Sequence, residues 1–418
     1  MATRTPSRAT SLIALVAVVL LLATACSDDD GDISELPPNA TATPAAGETS
    51  TTVAADDPPG ESAAASLRSD LTGLFEEQVY LTGFTVQAAA AADGDLDDPE
   101  AAAMADATAA SSVELSDVVG AAYGVAAGVD FNEAWDAHQA TLVDFGLRGG
   151  TAEAVTTARD AVVSTLEGFD PEGDFSTVAA GLEASDGEML TTVEELASQR
   201  PAAAVDLRAA ADEMPEVALG LADVIATHSA LEGEVDSPES ALRADLTGLL
   251  QESALLTGLA LSEIVQADGD SSAPGPRGVL AAIDENTVAL AEAMVPEDEA
   301  ERDAFGEVWG GHIGDFEDYI TAVMADEAAG IQEAEDAIVT FRDDLGVVLS
   351  DTYPAFTREA VAEELVPHTD SIIAVADALV AEADGATPIE SPDLLRAAAL
   401  AMRDAARYFA GGLSAPTE

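Results

Sequence analysis

The chain has 418 residues, with 80 acidic side chains against 15 basic ones and a formal net charge of −65. Every basic residue is arginine, lysine is absent, and aromatic residues make up only 4%. Such a surface repels phosphate backbones and anionic lipid headgroups, so nucleic acid is excluded as a partner; it attracts cations instead. Hydrophobic residues reach 48%, enough for sizeable cores, and the length suggests two or three domains at about 100–200 residues each.

At the N-terminus, Arg4 and Arg8 precede an apolar run from Leu12 to Ala25. A run of roughly 14 residues has the length of a signal-peptide core and is short of a bilayer span. It ends in Leu22-Ala23-Thr24-Ala25-Cys26, with small residues before the chain's single cysteine. This segment resembles the lipobox of bacterial lipoprotein signal peptides, although Ala23 stands where leucine is more usual. The resemblance implies cleavage after Ala25 and a diacylglyceryl (palmitate-type) anchor on the Cys26 sulfur. The mature protein would then be held on the extracytoplasmic face of the cell membrane. A lone cysteine allows no intrachain disulfide, so folding must rest on packing. From Ser27 to about Glu61 the composition turns to Asp, Thr, Pro, Gly and Ala with no apolar periodicity, which reads as a disordered, self-repelling tether.

Beyond the tether the sequence repeats itself. Leu67-Arg68-Ser69-Asp70-Leu71-Thr72-Gly73-Leu74 recurs as Leu242-Arg243-Ala244-Asp245-Leu246-Thr247-Gly248-Leu249, an offset of 175 (68 to 243). Phe131, Glu133, Trp135 and His138 recur as Phe305, Glu307, Trp309 and His312, and both tryptophans of the chain lie in this motif. Leu207-Arg208 with Met214 matches Leu395-Arg396 with Met402. The organisation follows: signal peptide 1–25, lipidated cysteine and linker 26–63, helical module one 64–232 and helical module two 238–413. The fold class is all-α, as two tandem duplicated up-and-down bundles of four to six helices each, because Ala-rich, periodic segments favour helix and none alternates like a strand. In module two the periodic segments cover 240–266, 277–295, 301–325, 327–350, 358–384 and 391–412.

Polar residues interrupt several apolar stripes. Leu242, Leu246, Leu249, Ser253, Leu256 and Ala260 share one face; in module one the same face carries Gln78 at the position of Ser253. Glu77 and Glu252 precede these residues, and Gly83 and Gly258 would let another helix approach. Phe305, Trp309, His312, Phe316 and Tyr319 make a second stripe, and Trp135 and His138 sit in its copy. His368 heads a third. Module two thus aims His312, His368, Ser253 and Met402 toward one interior, with Glu252 nearby, types that suit a transition metal or haem. Two readings stand: neutral core histidines hydrogen-bonded across the bundle, or ligands. Module one has Ser185 where module two has His368, and Pro215 should break its last helix. No phosphate loop, nucleophile elbow or zinc-protease motif is present, so no catalytic residue is assigned and an enzyme is not expected.

The order Leu-Arg-x-x-Leu, Leu-Thr-Gly, Asp284-x-Asn286-Thr287, Phe-x-x-x-Trp-x-x-His and a final helix with Met402 resembles a poorly characterised family of secreted bacterial helical proteins. Some of these accompany modules labelled copper amine oxidase N-terminal-like. The resemblance implies a histidine-lined bundle, with His312 (His138 in module one) and His368 carried over, and with Ser253 and Ala401 in place of two further histidines. The functional expectation is a surface-anchored, non-enzymatic binding module with an envelope protein partner. The alternative is a metal- or haem-binding bundle centred on module two.

Overall fold

Alanine loses no side-chain entropy in a helix, and the segments rich in it are helical with polar caps at their starts. Ser62 and Ser237 cap α1 (Ala63–Ala91) and α8 (Pro238–Gln266), each through its side chain to a backbone N–H three residues on. The computed structural model describes residues 59–415 apart from residue 297. The signal peptide, Cys26 and nearly all of the tether lie outside the described residues.

Between α1 and α8 come α2 (Pro99–Tyr123), α3 (Val125–Arg148), α4 (Ala152–Phe169), α5 (Ser176–Ala197), α6 (Ala203–Ala211) and α7 (Met214–Ser229). After α8 come α9 (Pro274–Met294), α10 (Glu299–Met324), α11 (Ala328–Thr352), α12 (Arg358–Glu364), α13 (Val366–Ala383) and α14 (Ser391–Leu413). The class is all-α, with no strand among the described residues. Helices α1 and α8 are both 29 residues long and start 175 residues apart. Pro215 stands in the first turn of α7 and Pro367 in the first turn of α13, so each begins a helix where the sequence reading placed a break or start. No helix of the described residues is long and apolar enough to cross a membrane.

The two repeats belong to one compact unit. Helix α1 packs directly on α8, and the core around α1 takes in Leu255, Leu256 and Leu259 of α8 and Leu395 of α14. The repeats are therefore halves of a shared body, held by packing as well as by the joint at 232–239, and this packing is what the sequence leaves open. The cause lies in α1 and α8: both are buried nearly all round, because one face meets the helices of their own half and the other meets the opposite half.

Contacts across this seam come in reciprocal pairs. Arg68 donates to the Val235 carbonyl at 3.0 Å, and Arg243 donates to the Gly60 carbonyl at 3.0 Å. A Cβ on Gly73 would fall 1.8 Å from Gln251 Oε1, and one on Gly248 would fall 2.5 Å from Glu76 Oε1. Glycine at both positions lets the two long helices cross closely. Gly83 and Gly258 act within their own halves, where an added Cβ would strike Leu207 at 2.7 Å and Leu395 at 2.3 Å.

Candidate functional site

Half one pairs much of its polar interior, although His138 Nδ1 and Asp186 Oδ2 are buried without a hydrogen bond. Gln78 on α1 accepts from Trp135 Nε1 at 3.1 Å on α3, and its own amide donates to the Thr108 carbonyl at 3.1 Å on α2. His138 Nε2 lies 2.8 Å from Asp186 Oδ1 on α5, and the Arg159 guanidinium of α4 stands 3.9 Å from the other carboxylate oxygen. The indole and the ring Nε2 in this half are both partnered.

The same framework in half two carries different residues and loses those partners. Ser253 occupies the register of Gln78, and its short side chain leaves both Ser253 Oγ and Trp309 Nε1 buried without a hydrogen bond. Thr369 follows His368 as Asp186 follows Ser185. Its hydroxyl turns back to the Leu365 and Val366 carbonyls and accepts from Arg342 at 3.2 Å. His312 therefore has no carboxylate. Its Nδ1 donates to the Trp309 carbonyl one turn earlier, and its Nε2 is unpartnered. Neither ring nitrogen of His368 has a partner.

These groups adjoin one another. The Trp309 and His312 ring centroids are 5.0 Å apart, Trp309 and His368 6.2 Å, and the two imidazoles 5.8 Å at an interplanar angle of 64°. Both histidines are 1% exposed. Burial pushes His312 down to about 4, against a small opposing effect of the Trp309 carbonyl. Burial and then the neighbouring His312 push His368 down to about 3. Both rings are neutral at neutral pH. Because the His312 Nδ1 proton is held by a carbonyl, its Nε2 presents a lone pair, the arrangement that prepares an imidazole for coordination. An unsatisfied buried polar atom costs about 1–3 kcal/mol, and native interiors rarely hold several together.

Of the four sequence-selected ligands, His312 and His368 are brought together. Met402 on α14 is fully buried in the core cluster that contains Trp309. Glu252 is a correction. Although it precedes Ser253, its carboxylate turns to the seam, where Oε1 accepts from the Tyr80 hydroxyl at 2.5 Å and lies 3.2 Å from Arg208 Nε. Its Oε2 accepts from Asn286 at 2.6 Å. With both oxygens committed there, Glu252 is not available to the histidines. Among the described residues, no cluster of three or more His, Cys, Asp and Glu side chains is placed to hold a metal. The donor set is thus the two imidazoles. Haem does not fit it, since the Phe341 ring stacks on His312 at 4.2 Å and Phe316 stands edge-on at 5.6 Å. His228 pairs with Asp170 at 3.2 Å, away from this interior.

Sequence reasoning passed over the groups that join the halves. Arg396 Nε stands 3.1 Å from Glu77 Oε1, and Arg208 makes the matching pair with Glu252. Ser111 and Asn286, at equivalent positions of α2 and α9, donate to the second oxygen of Glu77 and Glu252 at 2.6 Å each. The repeated Leu-Arg dipeptides were the signal for the arginines, but nothing in them names a carboxylate so distant in the chain. No protein-family model matches the sequence, and no curated protein or solved structure is detectably similar to it.

Proposed function

We propose that the chain is a non-enzymatic binding protein, lipid-anchored through Cys26 on the extracytoplasmic face of the membrane, whose half two takes a transition-metal ion between His312 and His368. The observation that carries this reading is the contrast between the halves. Five polar atoms on Ser253, Trp309, His312 and His368 are buried without partners in half two, where half one pairs its indole and its histidine Nε2 through Gln78 and Asp186.

Neutral imidazole suits copper and zinc, and a nearby thioether such as Met402 would favour copper(I). The residues would bind and desolvate the ion, and the Trp309 carbonyl would hold the His312 ring in the coordinating tautomer. Half one, with Gln78 and Asp186 in place, would have no such site. The acidic surface supports the reading by concentrating cations around the protein.

The experiment is elemental analysis of the purified protein after incubation with copper(I) or zinc and exhaustive dialysis. Near-stoichiometric retention that is lost in the His312→Gln, His368→Gln double variant supports the proposal. A metal-free protein, or equal retention by the variant, overturns it and returns the search to an envelope protein partner.

A further inference from the structure

A second site lies on the seam, at the far end of the α1/α8 pair from the joint. A cavity of about 320 Å³ opens there between the halves. Its walls are apolar: Phe84 and Met104 with Leu196 from half one, Leu259 and Leu379 with Leu395 from half two. Against this apolar lining stands Glu263 of α8, whose Oε1 accepts from the Gln87 amide of α1. No arginine among the described residues pairs with Glu263. Arg200 also lines the cavity, but it is an exposed side chain bound to Glu195 at 2.8 Å. Gln87 Oε1 is buried with no donor. Glycine at 275 makes room for the acid, because a Cβ there would fall 2.0 Å from Glu263 Oε2. Glu100 adds a second carboxylate to the lining.

The cavity thus combines an apolar volume suited to a small ligand with two carboxylates, Glu263 and Glu100, that no arginine among the described residues pairs. We propose that it binds a small organic ammonium ion, its apolar body between Phe84 and Leu395 and its N–H groups donating to Glu263. Charge complementarity selects the class: an anion would meet Glu263 and Glu100, and a neutral apolar molecule would leave Glu263 desolvated with no charged donor. The apolar walls discriminate against inorganic cations, which gain nothing from them. Residues of both halves are needed, so the site exists only because the repeats share one body.

This inference does not depend on the metal proposal, and its test uses the metal-free protein. Titration calorimetry with hexylammonium, hexanoate and hexanol would show binding of the ammonium alone. Glu263→Gln keeps the shape and should weaken hexylammonium at least tenfold. Ala88→Trp, which fills the cavity from the α1 side, should abolish it, with circular dichroism and melting checked for both variants. Equal binding of hexanoate, or hexylammonium binding that survives both substitutions, would overturn the proposal. So would the absence of hexylammonium binding to the unaltered protein.

Discussion

Arg396 and Glu77 stand 319 residues apart in sequence and meet in the interior, guanidinium Nε to carboxylate Oε1 at 3.1 Å. The Glu77 side chain is fully buried, and Arg396 also reaches Glu114 at 2.8 Å near the surface. With Arg208 and Glu252 in the mirrored position, each half sends one arginine into the other half's first helix.

Removing one member of such a pair strands a buried charge. Arg396→Met should destabilise the protein by about 3 kcal/mol, at the low end for a buried pair because Glu114 shares the arginine. Replacing both partners, in Glu77→Leu with Arg396→Leu, should recover much of that loss. Urea unfolding measures both, and the unaltered protein should unfold in one transition, since the halves share a core. Two separate transitions, or single losses that simply add in the double variant, would contradict the packing.

The buried histidines set a sign for pH dependence. The fold holds His312 neutral, with its proton affinity pushed down to about 4, while the unfolded chain protonates it near the ordinary value of about 6.5. Its contribution is complete above pH 6.5 and is lost as pH falls towards 4, by about 3 kcal/mol. Buried Glu76 and Glu252, both raised chiefly by desolvation, act in the opposite direction. The quantity to measure is therefore the stability difference between the unaltered protein and His312→Gln. It should grow from pH 4 to 6.5 and be flat above; a difference constant across that range would show a histidine that titrates normally.

The helices were largely legible in the sequence. The segments read for the second half nearly coincide with α8 to α11 and α14, because Pro and Gly punctuate them. The one segment read over 358–384 proved to be α12 and α13, divided where Pro367 starts a new helix. The inward placement of His312 and His368 was also legible, from spacing alone. The seam was not. Periodicity identified one stripe on α1 and α8, and it cannot say that the opposite face is buried as well. A partial signal existed in the uncharged run from Gln78 to Ala92, since a helix without charge on any face belongs in an interior. The identity of the partners, Arg396 for Glu77 and Tyr80 for Glu252, depends on a fold-back that local pattern does not encode. The loss of Glu252 from the ligand set has the same origin.

Ser253→Gln tests whether the differences between the halves are cause rather than coincidence. The longer side chain should accept from Trp309 Nε1 as Gln78 accepts from Trp135, and it should stabilise the metal-free protein by about 1 kcal/mol. It should also fill the space beside His312 and His368 and weaken metal retention at least tenfold. Thermal melts and metal titration read the two effects separately. A destabilised variant with unchanged metal affinity would mean that Ser253 does not face the indole.

The most direct measurement uses the position of the two tryptophans. In a Trp135→Phe background, Trp309 is the only indole, and it lies against both histidine rings. Titration with copper should quench its emission to a stoichiometric end point, and the His312→Gln, His368→Gln variant should abolish the quenching while keeping its helicity. Emission that stays constant through the titration, or that falls equally in the variant, would contradict a metal site in half two.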